Sequence, residues 1–296
     1  MNTQKRKPDW LKANRVGRLQ ASRLSTLLDH NQLHTVCESA RCPNRGECFE
    51  NSRAVFLILG DVCTRNCRFC AIPKGKKPAQ PDPDEPRRVA EVAKQIGLKH
   101  VIITSVTRDD LQDGGSNHYV QIIKEIRKQL GDDVLIEVLT PDFQGDRDAW
   151  NAIIDEQPTV FNHNLETVPR LYPVIRPKAN YERSLSLLRH IKNRTPELIT
   201  KTGIMLGLGE TPEEVISLLK EARNQDVDMI TIGQYLQASK NTYPVKEYIS
   251  PDKFEYYKAI CNDLGFQYVE SGPLIRSSYY SKDLSEILGK MPINHK

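Results

Sequence analysis

The feature that most restricts the fold of this 296-residue chain is a repeated alternation of two hydrophobic patterns. Short apolar runs of strand length take turns with longer stretches in which apolar residues recur every three or four positions. "AVFLILGD" reads as a strand and "RRVAEVAKQIGLK" as a helix; "HVIITSVT" is followed by "HYVQIIKEIRKQLG", closed by Gly131. The pairing continues through "VLIEVLT" and "RDAWNAIIDE", "TVFNHNLE" and "YERSLSLLRHIKN", "ITKTGIMLGLG" and "TPEEVISLLKEARNQ", and ends on a sixth strand, "MITIGQYLQ". Parallel strands need a long return that is usually a helix, so this alternation predicts an α/β chain with a parallel sheet. A partial (β/α)6 TIM-like barrel with N-terminal and C-terminal extensions is the expected architecture. Chemistry in such folds gathers at the C-terminal strand ends, here Cys63, Thr104 to Asp110, Asn164, Glu166 and Gly207 to Glu210.

Residues 1–53 are polar and rich in arginine and cysteine, and are expected to form an extension ordered by something other than a core. Residues 54–249 make the barrel. Residues 250–296 hold a last helix, "SPDKFEYYKAICNDLG", then "FQYVESGPLIRSSYY" and a polar tail. No apolar run reaches the roughly eighteen residues of a membrane span, and "MNTQKRKPDWLKANR" lacks a signal peptide's apolar region. A cytoplasmic, non-membrane monomer is expected. The net charge of +4, from 42 basic and 38 acidic side chains, is far from that of a dedicated nucleic-acid binder.

Six of the seven cysteines lie between Cys37 and Cys70, a crowding that suits metal better than disulfides in a reducing compartment. "CTRNCRFC" places Cys63, Cys67 and Cys70 directly after the first predicted strand. Thiolates about 4 Å apart repel by roughly 4 kcal/mol per pair at an effective dielectric of 20, so three together need a metal to neutralise them. Structural zinc and iron–sulfur clusters normally take four ligands, and three leave one metal position open. "CESARCPNRGEC" offers a second triad, Cys37, Cys42 and Cys48. The same repulsion implies a second metal centre there, either a zinc knuckle completed by His34 or a second cluster.

The CxxxCxxC spacing, with Phe69 before its last cysteine, resembles the radical S-adenosylmethionine superfamily. Within it, "CESARCPNRGECF", "TSVTRDDLQDGG", "HNLETVPRLYP", "TGIMLGLGETPEE" and "RSSYY" together resemble the lipoyl synthase family along most of the chain. The resemblance implies two 4Fe–4S clusters and S-adenosylmethionine as cofactors. Cys63, Cys67 and Cys70 hold the reducible cluster; Cys37, Cys42, Cys48 and Ser278 hold an auxiliary cluster that is consumed as the sulfur source. The implied reaction inserts two sulfur atoms, at carbons six and eight, into an octanoyl-lysine on lipoyl domains of 2-oxoacid dehydrogenase E2 subunits or the glycine cleavage H protein. An electron donor such as flavodoxin or ferredoxin is also implied. An alkoxide from Ser278 is a hard ligand on a soft cluster, which suits an iron that must be given up.

Around the first cluster, Thr107, Asn164, Glu166, Arg176 and Gly207 are the candidate contacts to the sulfonium cofactor, with Arg276 a further candidate. Asn164 and Glu166 sit two apart and are expected to point together. Glycines at 207 and 209 let a ring approach the backbone. His163 and Cys261 read as core. Alternatives are a radical methylthiotransferase acting on tRNA, although no basic RNA-binding module is visible, and a non-catalytic metal-binding protein. Relative to the family, Phe49, Ala238, Thr242 and Tyr280 depart from the usual residues.

Overall fold

The computed structural model describes residues 7–11, 18–40, 42–50 and 53–291, so part of the N-terminal stretch read above for a leader lies outside the described residues. One sheet carries eight strands in chain order: β1 (His34–Thr35), β2 (Val55–Ile58), β3 (His100–Ser105), β4 (Leu135–Leu139), β5 (Val160–Asn162), β6 (Ile199–Leu206), β7 (Met229–Gln234) and β8 (Tyr268–Gly272). β1 is antiparallel to β2, and each later pair is parallel. The six predicted strands are β2 to β7. No ladder joins β8 back to β1 among the described residues, so the α/β sheet stays open along one side.

Local chemistry explains the element borders. β2, β5 and β7 are buried at every position, as expected of parallel strands covered on both faces. The helix Pro212–Arg223 begins with a capping box in which the Thr211 hydroxyl accepts from the Glu214 amide and Glu214 reaches back to the Thr211 amide. Pro251 opens the helix Pro251–Asp263 behind a Ser250 cap, and Gly131 ends Ser116–Leu130 with a φ of 92°.

The extension differs from expectation. Leu24, Leu28, Leu33 and Phe49 are buried in the same apolar cluster as β2, so this segment adds to the barrel's core. Helical spacing of the leucines in "SRLSTLLDH" carries that signal, although polar residues between them mask it.

The concave side of the sheet is filled by the chain's own C-terminal segment. After β8 the backbone turns back and passes so close to β6 and β7 that a Cβ on Gly233 would sit 2.1 Å from the Ile275 carbonyl oxygen, and one on Gly203 would sit 3.2 Å from Ser277. Only glycine leaves that room. Further down, the Tyr280 hydroxyl donates to Glu137 of β4 at 2.5 Å, Lys201 of β6 stands 3.8 Å over the Tyr280 ring, and His100 of β3 and Tyr268 of β8 pack on its edge and face. Strands are about 4.8 Å apart, so one ring could not touch β3 and β8 across a flat sheet. The sheet therefore curves around Tyr280.

Glu137 and Lys201 are both fully buried, and the ammonium donates to the carboxylate at 3.2 Å. Asn162 donates a second bond to the same oxygen at 3.0 Å. Burial alone pushes the Glu137 carboxyl up, but Lys201, His100 and Tyr280 hold it down at about 2. Because this lies below the ordinary 4.5, the contribution to stability is whole above pH 4.5 and is lost as pH falls toward 2. Lys201→Met strands the carboxylate and is expected to lower unfolding stability by about 3–5 kcal/mol. Denaturant midpoints check this, and Glu137→Gln with Lys201→Met is expected to recover most of the loss.

Candidate active site

Immediately after β2 the chain takes two left-handed residues, Leu59 at φ 67° and Gly60 at φ 88°. A leucine there is strained, and the strain is held by partners: Glu85 accepts from the Leu59 amide at 2.9 Å, and the fully buried Arg108 donates to its carbonyl at 3.3 Å. This reversal starts the loop that carries Cys63, Cys67 and Cys70.

That loop is fastened on several sides. The Thr107 carbonyl at the end of β3 accepts from the Thr64 amide at 3.0 Å and hydroxyl at 2.9 Å, while the Thr107 amide donates to the Cys63 sulfur at 3.4 Å. The Arg68 amide donates to the Ile175 carbonyl at 2.8 Å, and Tyr243 donates back to the Arg68 carbonyl at 2.7 Å. Arg65 is buried and forks to both oxygens of Asp109 at 2.8 and 2.9 Å, with a further bond of 2.5 Å to Asp142 beyond β4. A planar guanidinium suits this two-carboxylate bridge better than an ammonium.

Loop and strand ends enclose a cavity of about 530 Å³. Both triads line it: Cys63, Cys67 and Cys70 from the loop, and Cys37, Cys42 and Cys48 from the extension, together with Ser278 from the C-terminal segment. All seven cysteines are free of disulfides, and Cys261 lies apart in the second apolar cluster as core. Within each triad the sulfurs are near enough to disfavour one another's ionisation. Burial first, then Cys42, pushes the Cys37 thiol up to about 12; burial pushes Cys48 and Cys70 to about 11, and Cys67 is raised as well. As thiolates these groups need a cation among them.

The candidate contacts divide. Thr107, Asn164, Glu166, Arg176 and Arg276 line the cavity. Asn164 and Glu166 lie just past β5 yet still meet, the Asn164 amide donating to Glu166 at 3.1 Å. Burial raises the Glu166 carboxyl. Arg176 spends one nitrogen on the carbonyls of Asn164 and Leu165 and the hydroxyl of Tyr172, at 3.2, 3.3 and 2.9 Å. Gly207 does not line the cavity: a Cβ there would meet Gln234 and the Glu247 carbonyl, so it packs against protein. The glycines at the cavity wall are Gly203 and Gly233. His163 is a buried residue behind the cavity wall that it helps to line, donating from Nδ1 to the Thr140 carbonyl at 2.8 Å, with Ser184 3.0 Å from Nε2 and its pKa lowered by burial to about 4. His34 lines a separate cavity of about 200 Å³ with Asp61 and does not line the one that the Cys37 triad faces. Sequence reasoning missed Arg65 as a clamp, Asp109 and Asp142 as its partners, and Asn44.

The residues present fit a cluster with a chelated organic cofactor. The thiols of both triads line one space, although no three His, Cys, Asp or Glu side chains among the described residues already stand at the spacing of a single bound ion, and four buried polar atoms on cavity-lining side chains, Ser105 Oγ, Thr140 Oγ1, Asn164 Oδ1 and Arg176 Nε, have no hydrogen-bond partner among the described residues. Such atoms call for a polar ligand.

Residues 57–222 match the Radical SAM superfamily. Lipoyl synthase of Caldanaerobacter subterraneus subsp. tengcongensis is 52% identical over 93% of this chain and 96% of its own length. Lipoyl synthase of Caldicellulosiruptor saccharolyticus is 50% identical over 96% of this chain and 99% of its own. Among solved structures, Streptococcus suis SuiB bound to S-adenosylmethionine superposes with a TM-score of 0.59 at 13% identity, covering 77% of this chain and 53% of that one. At that identity the likeness concerns the fold.

Arg65→Ala leaves Asp142 buried with Arg183 no nearer than 3.7 Å. It is expected to cost about 3–5 kcal/mol of stability and to loosen metal held on the Cys63–Cys70 loop, while the Cys37 triad keeps its own. Metal analysis after anaerobic loading, in backgrounds lacking one triad or the other, checks the selectivity.

Proposed function

Because the chain belongs to the lipoyl synthase family of the radical S-adenosylmethionine superfamily, we propose that its two thiol triads divide the sulfur-insertion reaction of that family between them. Cys63, Cys67 and Cys70 would hold the reducible 4Fe–4S cluster. When bound, that cluster supplies the electron that cleaves S-adenosylmethionine to a radical able to take hydrogen from an unactivated carbon. Cys37, Cys42, Cys48 and Ser278 would hold a second iron–sulfur cluster that is itself a substrate, the source of two sulfur atoms. The acceptor is an octanoyl chain on a lysine of a lipoyl-type carrier domain, of an E2 subunit or the glycine cleavage H protein, and flavodoxin or ferredoxin chemistry supplies electrons.

The observation that carries this reading is the single cavity lined by both triads and Ser278. Hydrogen removal and carbon–sulfur bond formation must reach the same methylene, and effective reaction needs atoms within about 3–3.5 Å. A shared cavity lets one acyl chain meet both groups without leaving. The chain's own residues contribute position and exclusion of water. Thr107 and Arg65 fix the first loop, Asn164 and Glu166 offer an amide and a carboxylate for an amino group or ribose hydroxyls, and Arg176 places a buried cation near Cys67. Leu57, Val106, Leu139 and Ile204 give the cavity apolar wall suited to an acyl chain.

Anaerobic turnover of an octanoyl-lysine peptide with both clusters loaded is expected to yield, by mass spectrometry, product with two sulfurs added. Absence of any thiolated product would overturn the assignment. Cys42→Ala is expected to keep 5′-deoxyadenosine formation and lose thiolation, whereas Cys67→Ala loses both, as chromatography of the cleavage products will read.

A further inference from the structure

A serine hydroxyl is a weak partner for a cluster that otherwise takes thiolates, so its position must be supplied by the scaffold more than by the bond it makes. Ser277 and Ser278 are the central pair of a turn closed by the Tyr279 amide donating to the Arg276 carbonyl at 2.9 Å. Each flank of this turn is tied to a residue that brackets Arg45–Glu50, the helix that carries Cys48. Upstream, the buried Asn44 amide donates to the Leu274 carbonyl at 2.7 Å; downstream, Arg53 donates to the Tyr280 carbonyl at 2.9 Å. The same two residues frame Cys48 itself, whose amide donates to the Asn44 carbonyl at 2.9 Å and whose carbonyl accepts from the Arg53 amide at 2.8 Å. Below the turn, the Tyr280 hydroxyl is held by Glu137, which Lys201 and Asn162 fix in turn.

We propose that Asn44, Arg53 and Tyr280 are positioning residues that set Ser278 against the Cys37, Cys42 and Cys48 triad and so govern how readily the donor cluster gives up iron. The inference rests on Ser278 being that cluster's fourth ligand and adds what keeps the hydroxyl in reach. Asn44 and Arg53 fix the lateral distance between serine and thiols, because both ends of the serine turn hang from the two residues bonded to the Cys48 backbone. Tyr280 fixes the height, because its ring and hydroxyl are locked inside the curved sheet two residues beyond Ser278. Loss of one such bond to a charged or buried partner frees the turn without touching any ligand.

The test uses the full chain with both clusters loaded anaerobically, and compares Asn44→Ala, Tyr280→Phe and Ser278→Ala with the unaltered protein. Readouts are the Mössbauer spectrum of the donor cluster and the rate of iron loss to a ferrous chelator. Asn44→Ala and Tyr280→Phe are expected to speed iron loss about tenfold or more, the factor from losing a hydrogen bond to a buried or charged partner, and to move the spectrum toward that of Ser278→Ala. The signal of the Cys63, Cys67 and Cys70 cluster stays as it was. If Ser278→Ala alters the donor cluster while Asn44→Ala and Tyr280→Phe leave spectrum and rate unchanged, the positioning role is refuted, even where unfolding midpoints fall. If Ser278→Ala itself changes neither readout, the ligand assignment fails and this inference fails with it.

Discussion

The contact between Tyr280 and the buried Glu137–Lys201 pair is the constraint on which the rest of the arrangement depends. A carboxylate and an ammonium inside an apolar sheet are unfavourable unless each is well partnered, and replacing both by apolar groups is often no worse for stability. Here the pair does something an apolar substitute would not. It presents a charged acceptor deep in the concave side, and the Tyr280 hydroxyl, brought in by the C-terminal segment, adds the short bond on the oxygen that His100 approaches at 3.4 Å. That bond draws the segment down past Gly233 and Gly203, and Ser278 is carried to the cavity as a result.

The two thiol triads are held in different ways, which accords with the different work proposed for them. The Cys63 loop is clamped by buried, two-pronged charge contacts and by backbone bonds to neighbouring strand ends. A centre that is reduced and reused gains from that rigidity. Cys37 and Cys48 sit on two short helical segments with Cys42 between them, and their surroundings are completed by single side-chain-to-backbone bonds to distant parts of the chain. A centre that is consumed and rebuilt needs looser walls.

Much of the fold was legible because the physics behind it is local. Continuous apolar runs marked β2 to β7, and Thr, Ser, Pro and Gly marked the helix ends. β8 escaped because "YVESG" mixes aromatic and polar residues, and its charged member, Glu270, accepts from Tyr268 on the same strand face and from Ser281, a partner that no local pattern reveals. One signal was present and unused. A lysine in "ITKTGI" and a glutamate in "VLIEVL" are anomalous in buried strands, and two opposite charges in such places are the mark of a buried pair. The cysteine triads could be read from repulsion and spacing, whereas Ser278 came only through resemblance, since "IRSSYYS" by itself reads as a turn. Gly207 packs against Gln234 and the Glu247 carbonyl while Gly203 and Gly233 face the cavity, a difference hidden in sequence because a glycine's neighbours are set by tertiary approach.

The order in which these parts occur along the chain carries a further consequence. Synthesis delivers Cys37, Cys42 and Cys48 first and Ser278 only after all eight strands. Cys37, Cys42 and Cys48 thus emerge early, and the hydroxyl proposed to join them arrives only once the sheet behind them has curved around Tyr280. On the reading proposed above, these four side chains come together only when the whole chain has folded, so filling of that site would be timed by folding itself.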